Sequence, residues 1–239
     1  MPSKLKLFYN GVWRRTAGYL YHKWYYERDK VWINTRFLGI TTMKSVSDMW
    51  NYQEIISDTK PGIIVEFGSF AGGSALYFNL IGRAVNPGIK VLSVDIDHSL
   101  LDPRVKDYPE IEFLESSSTD AGVALRIAEL RRENPGPAFF ILDSDHRKAH
   151  VLSELISLRE VLQHGDYVIV EDSNINGHPV ARNWGAGPFE AMEEYFRRYP
   201  DDYSRDTQRE HRFAFTMATN GFLVFREKGD AVSGPEKID

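Results

Sequence analysis

Two short motifs concentrate groups that could do chemistry. Asp143-Ser144-Asp145-His146 follows the apolar run 138–142, and Glu171-Asp172-Ser173-Asn174 follows the run 166–170. If those runs are adjacent parallel strands, Asp143, Asp145, Glu171 and Asp172 converge at the carboxyl edge of a sheet, where open α/β proteins bind ligands. Several carboxylates in one cleft need neutralising. A hard cation with oxygen ligands, most naturally Mg²⁺, supplies the charge and leaves positions open for a substrate oxygen. It also lowers the pKa of a coordinated hydroxyl, which makes that oxygen a stronger nucleophile. His146 is the candidate proton acceptor, with Asp143 as its catalytic neighbour. Singly, Asp143 and Asp145 could be turn acids capping the next helix, and Asp172 to Asn174 ordinary loop polarity. Their joint placement at two strand ends favours chemistry.

A second cluster precedes them. The run 62–67 leads into Glu66-Phe67-Gly68-Ser69-Phe70-Ala71-Gly72-Gly73-Ser74 and then a helix. Gly68 and Gly72 let backbone N–H groups, with the hydroxyls of Ser69 and Ser74, approach a ligand closely. The spacing is not G-x-G-x-x-G, and Glu66 would repel phosphate, so a pyrophosphate cradle is disfavoured. Glu66 suits the amino group of an amino-acid-like cofactor, and S-adenosylmethionine fits. Asp95, ending the next strand, could accept both ribose hydroxyls. Ser118, in the run Ser116 to Asp120, could reach the adenine edge or belong to a helix N-cap.

These residues need a framework, and the chain supplies one. Short apolar runs alternate with amphipathic stretches, the βαβ rhythm of a mainly parallel sheet covered by helices. Strands are predicted at 62–67, 89–96, 111–115, 138–142, 166–171, 212–218 and 221–227. Helical stripes read Val151, Leu155, Leu158, Leu162 and Phe189, Met192, Phe196, Tyr199. Asn220-Gly221 suits a tight hairpin, which makes the last strand antiparallel to its predecessor. That ending suits the methyltransferase variant of the doubly wound fold: a seven-stranded, mostly parallel, Rossmann-like sheet with helices on both faces. Residues 1–60, crowded with Trp and Tyr, read as an N-terminal cap or oligomerisation segment, 61–228 as the catalytic domain, and 229–239 as a flexible tail.

Composition narrows the function further. The 239 residues carry a net charge of −5 without a basic block, so no nucleic-acid partner is expected. Cysteine is absent, which excludes disulfides, thiolate metal ligands and a cysteine nucleophile. No apolar run suits a signal peptide or membrane span, so the expected setting is the cytoplasm, with a small-molecule partner and a homo-oligomeric state. A facial metal triad from His164, Asp166 and His211 is disfavoured, because Gly165 reads as a helix C′ residue at the opposite edge of the sheet. Two other functions remain in view: an NAD-dependent oxidoreductase, which the fold and Asp95 would also serve, and a non-catalytic oligomeric module.

The stretch 48–56, VEFGSFAGGSAL, SVDID, LDSDH, and VEDSNINGHPV followed by GPFEAM resemble the cephalosporin hydroxylase and rhamnosyl O-methyltransferase family from about residue 36 to 226. The resemblance implies a class I methyltransferase fold, S-adenosylmethionine, Mg²⁺, and a hydroxyl acceptor on a sugar or secondary metabolite. It carries over Glu66, Gly68 and Asp95 as cofactor contacts and Asp143, Glu171 and Asp172 as metal ligands, Asp145 remaining the alternative to Asp143. The spacing also resembles catechol-type O-methyltransferases, whose lysine base is replaced here by His146.

Overall fold

Alternation within the strands decides which side chains can reach the site. In the computed structural model, which describes residues 4–229, a seven-stranded sheet is built from β3 (Ile63–Phe67), β4 (Lys90–Asp95), β5 (Ile111–Glu115), β6 (Ala138–Leu142), β7 (Tyr167–Val170), β8 (Tyr203–Arg205) and β9 (Phe222–Phe225). A two-stranded hairpin, β1 (Arg36–Phe37) and β2 (Ile40–Thr41), precedes it. The sheet order is β5-β4-β3-β6-β7-β9-β8. The first five of these strands are parallel, and β9 runs antiparallel to both β7 and β8. The expected mostly parallel sheet with an antiparallel last strand is what forms.

One face carries Val65, Phe67, Leu92, Val94, Phe140, Leu142, Val168 and Val170. It is covered by α4 (Ala121–Glu133), α5 (Lys148–Leu158) and α6 (Pro188–Arg198) through Val123, Ile127, Leu155, Leu158, Met192 and Tyr195. The other face carries Ile64, Val91, Phe139, Ile141, Tyr167 and Ile169, under α2 (Val46–Thr59) and α3 (Gly73–Val85). Side chains on a strand alternate between faces with period two. Glu66, Ser93 and Asp95 therefore share the α2/α3 face, and the same parity carries past the strand ends to Asp143 and Glu171. Backbone bonds extend the ladder to these residues: Asp143 N donates to Phe67 O at 2.9 Å and Glu171 N to Leu142 O at 3.0 Å.

The predicted strand at 212–218 does not form, and neither does the hairpin at Asn220-Gly221. The missed strand is β8, which supplies the edge partner of β9. The apolar residues of 212–218 serve a different cluster. Phe215 and Met217 pack with Tyr25, whose ring Phe215 meets tilted, and Phe215 meets Tyr21 and His22 edge-on. The Met217 N–H goes to the buried Asp48 carboxylate at 2.8 Å instead of a ladder. Leu162 also lies beyond the end of α5, although it joins the core as the stripe required.

The segments before β3 complete the frame. Helix α1 (Lys4–His22) continues into a π-helical turn, Lys23–Arg28. Ser45 caps α2 by accepting from Asp48 N. Asp166, from the disfavoured triad, is fully buried and takes Arg131 Nη1 at 2.7 Å, Ala138 N at 2.8 Å and Gln163 N at 2.7 Å. Its carboxylate is committed to holding α4 and β6 at the amino edge of β7. No helix among the described residues is long and apolar enough to cross a membrane. Of the expected tail, residues 230–239 lie outside the described residues.

Candidate active site

The strand ends open onto a cavity of about 530 Å³. Its cofactor side is formed by Gly68, Ser69, Ser74, Asp95 and Ser118, and its other side by Trp32, Met43, Asp143, His146 and Asp172. The volume lies within the range of small-molecule pockets.

On the cofactor side, Asp95 Oδ2 accepts from the N–H groups of Ser69 at 2.8 Å and Phe70 at 3.1 Å. One carboxylate oxygen thus fixes the glycine turn, while Oδ1 accepts from Asp97 N at 3.4 Å. Gly68 has φ +99°, and a Cβ there would stand 2.1 Å from Asp143 O, so only glycine lets the turn after β3 pass the end of β6. Gly72, at φ +79° and against Val105 and Leu101, shapes the start of α3 and is not on the cavity wall.

Glu66 lies beneath the turn, fully buried, rather than on the wall. Its Oε2 accepts from Ser93 Oγ at 2.9 Å, and Ser93 Oγ meets Ser69 Oγ at 2.8 Å. Burial pushes the carboxyl up to about 7, against the pull of Lys44 and the neighbouring hydroxyls. Ser118 Oγ donates to the buried Glu154 at 2.6 Å and meets His150 Nε2 at 3.0 Å. Ser144 Oγ reaches the same Glu154 oxygen at 2.5 Å. The structure thus ties the loops after β5 and β6 together where the adenine edge was expected. The N-cap residue of α4 is Asp120, without a side-chain cap.

At the chemistry end, His146 Nε2 stands 3.3 Å from Asp143 Oδ1 and 3.3 Å from Asp172 Oδ2. Ligand atoms of these three residues all lie within 4.8 Å of one another. Burial opposes charge on the imidazole, but Asp172 and Asp143 outweigh it and raise its pKa to about 9. Burial also raises Asp172, to about 6. Asp145 lines the same cavity but stands outside this cluster: it accepts from Arg147 N at 3.0 Å and Arg147 Nε at 2.9 Å, the turn-acid arrangement. Asp143 is the acid the fold brings into the cluster.

Glu171 points inward, where its Oε1 accepts from Tyr52 Oη at 2.7 Å and lies 3.2 Å from Lys44 Nζ. Lys44 also donates to Asp143 Oδ2. Sequence reasoning missed Lys44 and Tyr52. Tyr52 had a signal, because Asp48, Tyr52, Ile55 and Ile56 share one face of α2 at helical spacing. Lys44, in the turn between β2 and α2, had none.

The motif after β7 is positioned from two sides. Asp172 adopts φ +49°, which turns its side chain from the strand parity of Glu171 towards His146. Further along, Glu190 accepts from Gly187 N at 2.7 Å, Asn176 Nδ2 at 2.7 Å and His178 Nε2 at 3.1 Å, while His178 stacks on Phe189 at 3.6 Å. From the N-terminal segment, His22 Nε2 meets Asn174 Nδ2 at 2.7 Å and Glu27 accepts from Ala181 N at 2.8 Å. Burial lowers His22 to about 4, so it stays neutral and accepts the Asn174 amide.

A sequence profile described as Rhamnosyl O-methyltransferase/CmcI matches residues 29–226. The chain belongs to that family. Rhamnosyl O-methyltransferases of Mycobacterium tuberculosis (strain H37Rv) and Mycobacterium leprae are 53% and 52% identical to it over 204 residues, covering 85% of this chain and 83% and 88% of theirs. Two solved CmcI structures, an N160 apo-structure and a D160 Mg-SAM structure, superpose with TM-scores of 0.64 and 0.63 at 22% identity. They cover 81% and 84% of this chain and 77% and 78% of their own. At that identity they establish the shared fold. Membership of the Rhamnosyl O-methyltransferase/CmcI family makes the chain an S-adenosylmethionine-dependent O-methyltransferase, as the motifs implied, and removes the dehydrogenase and non-catalytic readings. The match begins at residue 29, a little before the resemblance legible in the motifs.

Proposed function

We propose that this enzyme methylates a hydroxyl of a rhamnosyl or closely related sugar, at a Mg²⁺ site made by Asp143, Glu171 and Asp172, with His146 as proton acceptor. The observation that carries the reading is the convergence of Asp143, His146 and Asp172 on the wall of the cavity that Asp95 and the glycine turn also line. The acceptor class rests on the name shared by relatives at 53% identity.

Asp143 and Asp172 lie in the cluster on the cavity wall, whereas Glu171 lies behind it with Oε1 engaged by Tyr52 and Lys44, so its ligand role is the part of the proposal that the cluster does not itself include. Asp172 Oδ1 is buried with no hydrogen-bond partner among the described residues, and so is Glu66 Oε1. An unpartnered buried carboxylate oxygen is costly unless a cation or donor reaches it. Asp95 Oδ1 would take the ribose, Ser69 and Ser74 would line the methionyl portion, and Glu66 would favour the ammonium group from beneath the turn. A divalent cation held by the acids would polarise the acceptor hydroxyl and, by sharing the carboxylates' charge, lower the proton affinity of His146. His146, once relieved of its proton, would be placed to accept the hydroxyl proton at Nε2, and S-adenosylmethionine held against the glycine turn would supply the methyl group.

The decisive assay mixes enzyme, S-adenosylmethionine and Mg²⁺ with a rhamnoside and reads a single added methyl by mass spectrometry. We expect the product from the rhamnoside and none from the same glycoside with its hydroxyls blocked. A glycoside lacking rhamnose that is methylated better would redirect the acceptor assignment.

The N-terminal segment, residues 1–60, is proposed to cap the site and to build a homo-oligomer. Support comes from the exposed Trp13, Tyr19, Leu20, Tyr21 and Trp24 on one helical stretch and from the clasp of His22 and Glu27 on the loop after β7. Deleting residues 1–35 is expected to lower both the mass seen by light scattering and the activity. An unchanged mass with full activity would exclude the role. A cytoplasmic setting is proposed as well, and cell fractionation measures it.

A further inference from the structure

We propose that Lys44 is a built-in cation of the metal site: it holds Asp143 and Glu171 in place while the site lacks metal, and it tunes how tightly the site takes a divalent ion. The inference rests on the Mg²⁺ reading above and adds a positioning residue from outside the strand-end motifs.

Four acids crowd the ends of three neighbouring strands: Glu66 on β3, Asp143 after β6, and Glu171 and Asp172 after β7. The Lys44 side chain is only 3% exposed and reaches two of them directly, Asp143 Oδ2 and Glu171 Oε1. Burial alone would favour the neutral amine, but Asp143, Glu171 and Glu66 together drive its pKa upward, so the ammonium persists in the interior. Asp143 is divided between two cations, Oδ2 to Lys44 and Oδ1 towards His146. Tyr52 closes the inner side by donating to the Glu171 oxygen that Lys44 also approaches.

Two consequences follow from electrostatics. Without Lys44, buried carboxylates lose their fixed counter-charge, so the metal-free protein should suffer most. A divalent ion answers the same negative field, and with the competing positive charge removed it should bind tighter, by on the order of tenfold. A lysine that merely packed α2 against the sheet would produce neither effect.

The test compares wild type with Lys44→Met and Lys44→Arg, each prepared metal-free, by calorimetric Mg²⁺ titration and by melting with and without saturating Mg²⁺. Lys44→Met should melt below wild type without metal, close most of that gap in Mg²⁺, and show about tenfold lower Kd, while Lys44→Arg should track wild type. If Lys44→Met is insoluble, refolding is run with and without Mg²⁺, and recovery only with the metal supports the proposal. An Mg²⁺-independent gap with unchanged or weaker binding, or failure to refold in both conditions, overturns it. Absence of any Mg²⁺ binding by wild type overturns the metal reading itself and this inference with it, an outcome distinct from wild-type binding that Lys44→Met leaves unchanged.

Discussion

Stripped of divalent cations by chelation, the enzyme is expected to lose methyl transfer by at least about 100-fold and to regain it on adding Mg²⁺. Lewis-acid stabilisation of a developing alkoxide is worth several kcal/mol, and each 1.36 kcal/mol is a factor of ten in rate. Binding of S-adenosylhomocysteine should survive. The proposed cofactor contacts lie at the ends of β3 and β4, where Asp95 fixes Ser69 and Phe70, whereas the acids lie after β6 and β7. Calorimetry on the chelated protein separates the two losses. Methylation at the full rate by metal-free enzyme would show that the acid cluster has another role.

Much of this was legible because strand parity is a strong code. The runs ending at Phe67, Asp95, Leu142 and Val170 announce parallel buried strands, and whatever follows them must sit at the carboxyl edge. Residues 212–218 misled because their apolar content is indistinguishable from that of a strand. What decides their state is remote: the Asp48 carboxylate captures the Met217 N–H, and the aromatics of the π-helical turn and α1 capture Phe215. The choice between Asp143 and Asp145 was open for a similar reason. Only Arg147, two residues on, claims Asp145, whereas Asp143 is claimed from far along the chain by Lys44. A lone lysine before a helix cap has no periodicity, so its role emerges only when tertiary structure buries it against acids. Asp172 shows the limit of parity itself, since its φ of +49° breaks the alternation that Glu171 obeys.

His146→Ala is expected to lower kcat by ~10²–10⁴ at saturating Mg²⁺, the usual contribution of a positioned general base. The surroundings of His146 tie any proton transfer to the cation. The ring nitrogen Nε2 is shared between Asp143 and Asp172 at 3.3 Å each, and those same carboxylates raise its pKa to about 9. An imidazole so placed is protonated at neutral pH without a cation, so it serves as base only once a divalent ion shares the charge of Asp143 and Asp172 and lowers its proton affinity. If packing or binding were its role, the substitution would raise KM or weaken S-adenosylhomocysteine binding while sparing kcat. Loss of the base should instead leave cofactor affinity unchanged and respond to added imidazole, which can re-enter the space vacated by the side chain. Undiminished kcat in His146→Ala, with Mg²⁺ saturating, would assign the acceptor's proton to solvent or to one of the carboxylates.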